Sequence, residues 1–253
     1  MRFSKLYEKR IMKQIQKFAL ITVLLFFVGC ETTRNFTYER QQQYQNVLII
    51  SSIGDKITAN KTKNYLLVIQ NKVYSVPLGD EAFVTEIEDF IQNSLASKTP
   101  FKTVTMHDFF PSNEKDALAI FDGFIRYKNV SDILRKNGFD AVIFVRGERV
   151  LQGHAYDGID LIYDEVGVYK DADKDWFFTH FTLSFLDAER NYEFAESKLK
   201  RIPYTITQLN WDAPEVPWKE DEFSRIIKEA VAHTKEHLKI AIQKCFFAPK
   251  EIQ

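Results

Sequence analysis

The sequence predicts an α/β fold with an α+β tendency: a single domain whose mixed, mostly antiparallel central sheet carries helices on both faces. Two continuous apolar runs, at 46–52 and 139–146, have the composition of short strands buried on both faces. Helical apolar spacing between these runs indicates α/β layering, and clean alternation after residue 176 favours antiparallel pairing. With 45% hydrophobic residues, 22 Phe and 11 Tyr, the 253 residues supply enough apolar area for such a core.

The first half of the chain is predicted to alternate strands and helices. In order, its elements are a strand at 46–52, a tight turn at 53–55, a hairpin of 65–69 and 73–77, a helix at 81–97, a strand at 102–107, helices at 112–121 and 130–136, and a strand at 139–146. Asp80 can cap the first helix, whose apolar residues recur at helical spacing with Glu86, Glu88 and Asp89 on the opposite, polar face.

The second half is predicted to form a long hairpin and a closing helix. Alternation over 176–186 places Phe177, Phe181 and Phe185 on one face, and residues 187–191 turn the chain into a returning strand at 192–199. A helix over 219–247 carries one wide apolar stripe and should cover a face of the sheet. Cys245 lies in this stripe and is interpreted as a small core residue, with a reactive or dimer-forming thiol as the alternative.

An uncharged apolar run at 18–29 follows three basic residues at 10, 13 and 17. A bilayer core needs about 20 apolar residues, so this run has the length of a signal-peptide core rather than of a permanent span. The sequence therefore predicts a signal peptide at 1–29, with Met12 as an alternative start. A polar linker at 30–45 and a globular domain at 46–248 complete the predicted organisation.

The segment Phe27-Val28-Gly29-Cys30 resembles the lipobox of bacterial lipoproteins. The resemblance implies that the Cys30 thiol is acylated, with palmitate among the expected acyl groups, and that the chain is cut just before it. Two or three acyl chains hold a protein stably on a membrane. Glu31 follows where inner-membrane retention would use Asp, so the resemblance implies an outer-membrane protein facing the periplasm. The alternative is an ordinary Cys at the end of an uncleaved anchor helix.

The charge of the chain disfavours nucleic acid as a partner. Residues 1–29 hold six of the 34 basic residues and one of the 35 acidic residues, so the chain after residue 29 carries a formal charge of −6. Nucleic-acid binding domains show the opposite balance. The expected partners are the membrane, through the lipid, and another envelope protein; the sequence leaves the oligomeric state open.

The order of elements, with Gly-Phe-Asp-Ala-Val-Ile-Phe-Val at 138–145, Leu-Asp-Ala at 186–188 and a closing amphipathic helix, resembles a group of periplasmic lipoproteins. The group includes the periplasmic domain of the curli-secretion lipoprotein and the lipoprotein activators of penicillin-binding proteins, which share an anticodon-binding-like α/β fold. The segment at 50–55 also resembles the opening of uncharacterised secreted bacterial proteins. These resemblances imply a scaffold or partner-binding role and transfer no catalytic residue.

The loop at 153–165 is the best enzyme candidate, because it gathers His154, Asp157 and Asp160 with two glycines. Oxygen-rich loops of this kind hold hard cations or hydrolytic sites. The spacing does not match a calcium-binding EF-hand loop, and a solvated, turn-rich connection is the alternative.

Other histidines give weaker signals. His233 and His237 lie one helical turn apart, as metal ligands do, but the zinc-protease motif is absent and packed or solvated histidines are the favoured interpretation. His107-Asp108 is half of a nucleophilic triad, yet the chain has no Gly-x-Ser-x-Gly elbow and no glycine-rich phosphate loop. No cofactor is predicted.

The loop at 211–218 is a candidate for partner docking. It holds Trp211, Pro214, Pro217 and Trp218, and aromatic anchors dominate interface energetics. The alternative is that these rings cap the core. The sequence thus favours a lipid-anchored envelope protein with a partner-binding or assembly role and no catalysis. The alternatives are a metal-assisted hydrolase using the 153–165 loop and a periplasmic small-ligand carrier.

Overall fold

In the computed structural model, the core of the fold is a mixed sheet in which one long strand pairs with two shorter strands along the same edge. The structure describes residues 36–54, 56–65, 68–77, 82–126, 130–153, 160–171, 174–189, 192–203, 209–213 and 216–247. The strands are β1 (Asn46–Ser51), β2 (Lys56–Tyr65), β3 (Val68–Pro77), β4 (Lys102–Thr105), β5 (Ala141–Gly147), β6 (Arg149–Gly153), β7 (Asp160–Asp164), β8 (Val166–Asp171), β9 (Lys174–Asp187) and β10 (Tyr192–Pro203). The helices are α1 (Tyr38–Gln41), α2 (Ala82–Leu95), α3 (Met106–Phe109), α4 (Glu114–Ile125), α5 (Ser131–Lys136) and α6 (Glu220–Phe247), with a 3₁₀ turn at Phe110–Ser112.

The long strand β9 joins two branches of the sheet. Along one edge it pairs with β10, and along the other it pairs first with β8, over 174–179, and then with β5, over 181–187. The β5 branch continues through β1 to β4, both parallel, and the β8 branch continues through β2 to β3. Among the described strands of this sheet, four pairings are antiparallel and three are parallel. The predicted mixed, mostly antiparallel sheet is therefore confirmed.

Helices cover both faces of the β5–β1–β4 branch, as predicted. Val47 and Ile49 of β1 belong to the core cluster that contains α2 and α6, whereas Leu48 and Ile50 belong to the cluster that contains α3, α4 and α5. Successive strand residues point to opposite faces, so the two clusters lie on opposite sides of the sheet. Coverage on both sides explains why β1 and β5 are apolar without alternation.

The connections of this branch run in opposite directions. From β1 the chain reaches β4 through β2, β3 and then α2 on one face, and from β4 it returns to β5 through α3, α4 and α5 on the other face. The return places β5 beside β1, on the side away from β4. In α/β sheets a crevice forms at the carboxyl ends of neighbouring strands whose connections diverge in this way.

Residues 36–45, which the sequence predicts as part of the linker, contact the globular domain. Phe36 is 4% exposed, and its ring centroid lies 4.5 Å from that of Phe185 and 5.7 Å from that of Phe246. Gln41 of α1 donates from Nε2 to the Phe246 carbonyl oxygen at 3.0 Å. The residues at 36–45 are thus part of the folded domain and not of a linker.

Three further segments differ from the sequence prediction. Residues 70–72, predicted as a hairpin turn, lie inside β3, and the polar residues at 56–64 form a strand that pairs with β3 and β8. β6 and β7 form a separate two-stranded sheet that was not predicted, and β8 was not predicted either. The predicted signal peptide at 1–29 and Cys30 lie outside the described residues. Within the described part of the chain, no helix is long and apolar enough to cross a membrane.

Candidate functional site: a cleft at the carboxyl ends of the parallel strands

A cleft of about 700 Å³ lies where β1 and β5 end, between α2 on one face of the sheet and α3 and α4 on the other. It is lined by Ser51, Ser52, Val84, Thr85, Glu88, Met106, His107, Phe110, Ala117, Leu118, Phe121, Arg146, Gly147 and Glu165. This is the position at which open α/β sheets bind ligands. The volume lies within the range of small-molecule sites, roughly 300–1,000 Å³.

One wall of the cleft is apolar and open to solvent. Phe110, Leu118 and Phe121 are 38%, 53% and 37% exposed, and they are three of the five large hydrophobic side chains that are exposed among the described residues. The other two are Tyr38 and Ile240, which do not line the cleft. Exposed apolar side chains gathered at one concave site mark a binding surface more often than scattered ones do.

The polar part of the cleft is built around the carboxylate of Glu88. This side chain is 1% exposed, and its Oε1 accepts a hydrogen bond from the Ser51 backbone N–H at 2.9 Å. Its Oε2 lies 2.9 Å from Nδ1 of His107 and accepts from the His107 backbone N–H at 3.2 Å. Burial raises the pKa of Glu88, and the hydrogen bonds from His107 and Ser51 oppose that rise. Glu88 therefore joins α2, β1 and α3 at one point.

His107 is held between carboxylates through both ring nitrogens. While Nδ1 faces Glu88, Nε2 lies 3.2 Å from Oδ1 of Asp89 and 3.7 Å from Oδ1 of Asp108. Thr105, the N-cap of α3, places its hydroxyl oxygen 3.4 Å from the same Nε2. Asp108, the predicted partner of His107, is thus the most distant of the three carboxylates around the imidazole, and the carboxylate of Glu88 is the nearest. These contacts fix α3 against α2.

The floor of the cleft lies where β9 changes its partner strand from β8 to β5. Arg146 donates from Nε and Nη2 to Oε1 of Glu148 at 3.1 and 2.7 Å, and Thr182 donates to the same oxygen at 2.8 Å. Glu165, in the left-handed region with φ 58°, accepts from the Gly54 backbone N–H at 3.1 Å. A Cβ atom at Gly147 would lie 2.4 Å from the Glu165 carboxyl carbon, so the close approach of these two residues requires glycine.

The metal site predicted in the 153–165 loop lies mostly outside the described residues. His154 and Asp157 are not described, and Asp160 is the first residue of β7, paired in register with Gly153. Within the described ranges, no group of three or more His, Cys, Asp or Glu side chains could hold a metal ion. The metal-assisted reaction stays a prediction.

The structure places both tryptophans of the 211–218 loop in the core. Trp211 is 4% exposed and donates from Nε1 to Oδ1 of Asp175 at 2.7 Å. Trp218 is 7% exposed and stacks on Phe223, with ring centroids 5.6 Å apart. The neighbouring Pro217 is also buried, and Pro214 lies outside the described residues. These positions match the alternative interpretation of a cap over the core, and partner docking at this loop stays a prediction.

The histidines and the cysteine of α6 pack against core side chains. Nδ1 of His237 lies 2.9 Å from the Thr179 hydroxyl oxygen, and the ring packs 4.7 Å from that of Phe181. The His233 ring packs against Phe177 at 5.3 Å. Cys245 is half-buried against the core cluster that contains α6. The ring contacts of both histidines agree with their interpretation as packed side chains, and the role of the Cys245 thiol stays a prediction.

Comparisons with known proteins leave the family open. No family model matches the chain, and no curated protein matches it. Among solved structures, lipoprotein GNA1162 from Neisseria meningitidis is 9% identical with a TM-score of 0.35, over 76% of this chain and 99% of that one. The hypothetical protein CT253 from Chlamydia trachomatis is 11% identical with a TM-score of 0.30, over 77% of this chain and 97% of that one. Similarities this low carry no argument about function.

Proposed function

We propose that this protein is an envelope lipoprotein, acylated at Cys30, whose α/β domain binds another envelope component in the cleft and catalyses no reaction. The single observation that carries the binding role is the exposed apolar wall beside the buried carboxylate of Glu88. In a bacterium with two membranes, the domain would face the periplasm from the outer membrane.

The apolar wall supports binding because its exposure is unfavourable in the isolated domain. Burying apolar surface yields roughly 25 cal/mol per Å². Two of the three exposed side chains are phenylalanines, and a well-packed aromatic ring is a frequent hot spot of an interface. Binding of a partner that covers Phe110, Leu118 and Phe121 would be favoured by this free energy, which is not gained while the three side chains stay in water.

The polar groups support binding rather than catalysis. A nucleophilic reaction needs a base with a free nitrogen directed at a hydroxyl or thiol. Both nitrogens of His107 contact carboxylates, and Cys245 lies on α6 against the core. The cleft therefore offers fixed charges and hydrogen-bonding groups in place of an activated nucleophile.

The docking of Phe36 limits the length of the tether. If Cys30 carries the lipid, the tether is residues 31–35, which span at most about 18 Å when fully extended. Phe36 packs beside Tyr44, which precedes β1, and shares a core cluster with Phe101, which precedes β4, so it lies toward the amino ends of these strands. The cleft lies at their carboxyl ends, about 20 Å away along the six residues of β1. Phe36 and the cleft thus lie at opposite ends of β1.

A cross-linking experiment tests the role of the cleft. A photoreactive amino acid would replace Leu118, or Ile240 as the control, in the full-length protein in its native host. Leu118 and Ile240 are 53% and 54% exposed, so the two probes are matched in accessibility. We expect a discrete cross-linked adduct from position 118 and none from position 240. Absence of an adduct at 118, or the same adducts at both positions, would refute the proposal.

The volume of the cleft also favours a second candidate, a small-ligand carrier. A cavity of about 700 Å³ can enclose much of a small molecule without a protein partner. In the same experiment, a carrier would give an adduct at position 118 that differs from the unmodified protein by a few hundred daltons. A protein partner would add several thousand daltons or more.

A further inference from the structure

We infer that the cleft selects ligands in which an apolar chain carries a cationic N–H group, such as an alkylammonium or a lysine side chain. The inference rests on the proposed function, because it names the chemistry of the group that the cleft binds. Three features carry it: the charge balance of the cleft, the acceptor capacity of Glu88, and the apolar wall.

Carboxylates outnumber cationic groups around the cleft. The acidic groups that line it, or contact a group that does, are Glu88, Asp89, Asp108, Glu148 and Glu165. Among the residues that the structure describes, the basic groups are Arg146, whose guanidinium is bonded to Glu148, and His107, which lies between carboxylates. The field in the cleft is therefore negative, and it favours cations and disfavours anions.

Glu88 provides the point of recognition. An ionised carboxylate has about four lone-pair positions. The hydrogen bonds of Glu88 use three: one on Oε1, from Ser51, and two on Oε2, from the backbone and ring of His107. No hydrogen bond from the described residues uses the fourth position, which lies on Oε1, on a side chain that lines the cleft and is 1% exposed. An ammonium hydrogen bonded there would complete the set and offset the cost of keeping this carboxylate ionised out of water.

The apolar wall fits the remainder of such a ligand. Leu118 and Phe121 on α4, and Phe110 in the 3₁₀ turn before it, present hydrocarbon surface to the same cleft. A lysine side chain buries its methylene groups along such a surface while its ammonium reaches a polar group. A simple cation would leave this wall uncovered, and a simple hydrocarbon would make no hydrogen bond to the remaining lone pair on Oε1 of Glu88.

Three probes with the same chain and different head groups test the inference: n-pentylamine, n-pentanol and pentanoate. Binding to the lipidated full-length mature protein in detergent would be measured by saturation-transfer NMR, with N-acetyl-lysine methylamide as a fourth probe. We expect pentylamine to bind at least about tenfold more tightly than pentanol, since a hydrogen bond to a charged group is among the strongest polar contacts. Pentanoate should not bind. Binding of the lysine derivative would point to a peptide, and binding of pentylamine alone to a free amine.

Variants separate the inference from the proposed function. Glu88→Gln should remove the preference for pentylamine over pentanol. Because a buried substitution risks the fold, Leu118→Lys adds a cation on the exposed wall, and Ile240→Lys is its control. Leu118→Lys should weaken pentylamine at least tenfold and pentanol less, and Ile240→Lys should weaken neither. Equal binding of pentylamine and pentanol, or no binding of either, would overturn the inference. The proposed function would stand in both cases if position 118 still cross-links to a partner.

Discussion

Replacing Phe36 with alanine should destabilise the domain strongly, although the residue lies in a segment that reads as a linker. Phe36 is 4% exposed, and four rings surround it, those of Tyr44, Phe185, Phe194 and Phe246, with centroids 4.5–6.0 Å away. Truncating a phenylalanine in such a core costs about 3–5 kcal/mol, through lost burial and the cavity left behind. That is a large part of the roughly 5–15 kcal/mol that stabilises a typical domain.

Equilibrium unfolding in guanidinium chloride measures this effect, with Tyr38→Ala as the matched control. Tyr38 is two residues away and 54% exposed, so its truncation should change the free energy of unfolding by no more than about 0.5 kcal/mol. If Phe36→Ala proved as mild as Tyr38→Ala, residues 36–45 would not belong to the domain. The tether would then be longer than 31–35, and the argument about its reach would fail.

Three further predictions concern the cleft and its surroundings. Gly54→Ala should destabilise the protein by about 2 kcal/mol or more in guanidinium chloride unfolding, because φ at Gly54 is 92° and the added Cβ would lie 2.2 Å from the Phe83 ring. Gly138→Ala is the control: φ at Gly138 is 76°, but no atom lies near the added Cβ, so the cost should be only about 1 kcal/mol. Burial raises the pKa of Glu88, so the folded state binds the proton of this carboxyl more tightly than the unfolded state does. The free energy of unfolding of the wild type, compared with that of Glu88→Gln at each pH, should therefore fall as the pH rises from the ordinary pKa of a glutamate through the raised pKa of Glu88. Burial lowers the pKa of His180, so its NMR titration should have a midpoint below 6.5, and a midpoint above 6.5 would contradict its burial.

The elements that the sequence predicts well are those with long, uninterrupted patterns. β1 and β5 hold continuous apolar runs at 47–50 and 141–145, β9 alternates apolar and polar residues over 181–185, and α6 keeps one apolar stripe along its 28 residues. β2 escaped prediction because its residues at 60–64, Asn-Lys-Thr-Lys-Asn, are those of a loop. It is a strand because β3 and β8 supply its backbone partners, and a local pattern does not contain those pairings.

The sequence pattern identifies single residues of the cleft, such as His107, but it does not predict that they lie together. Helical periodicity put Glu88 on the polar face of α2 with its neighbours, yet it is buried and bonded to β1 and α3. Periodicity identifies a face, but it cannot show which polar residue at the margin of that face meets donors from elsewhere in the chain. His107 was noticed beside Asp108, its sequence neighbour, whereas its closest partner lies 19 residues earlier. The site exists only because the sheet brings the ends of β1 and β5 together.

Mass spectrometry of the protein from the envelope of its native host tests the attachment at Cys30 most directly. The account predicts that the chain starts at residue 30, that residues 1–29 are absent, and that the Cys30 sulfur carries a diacylglyceryl group. A chain that retains residues 1–29, or a free thiol at Cys30, would contradict it.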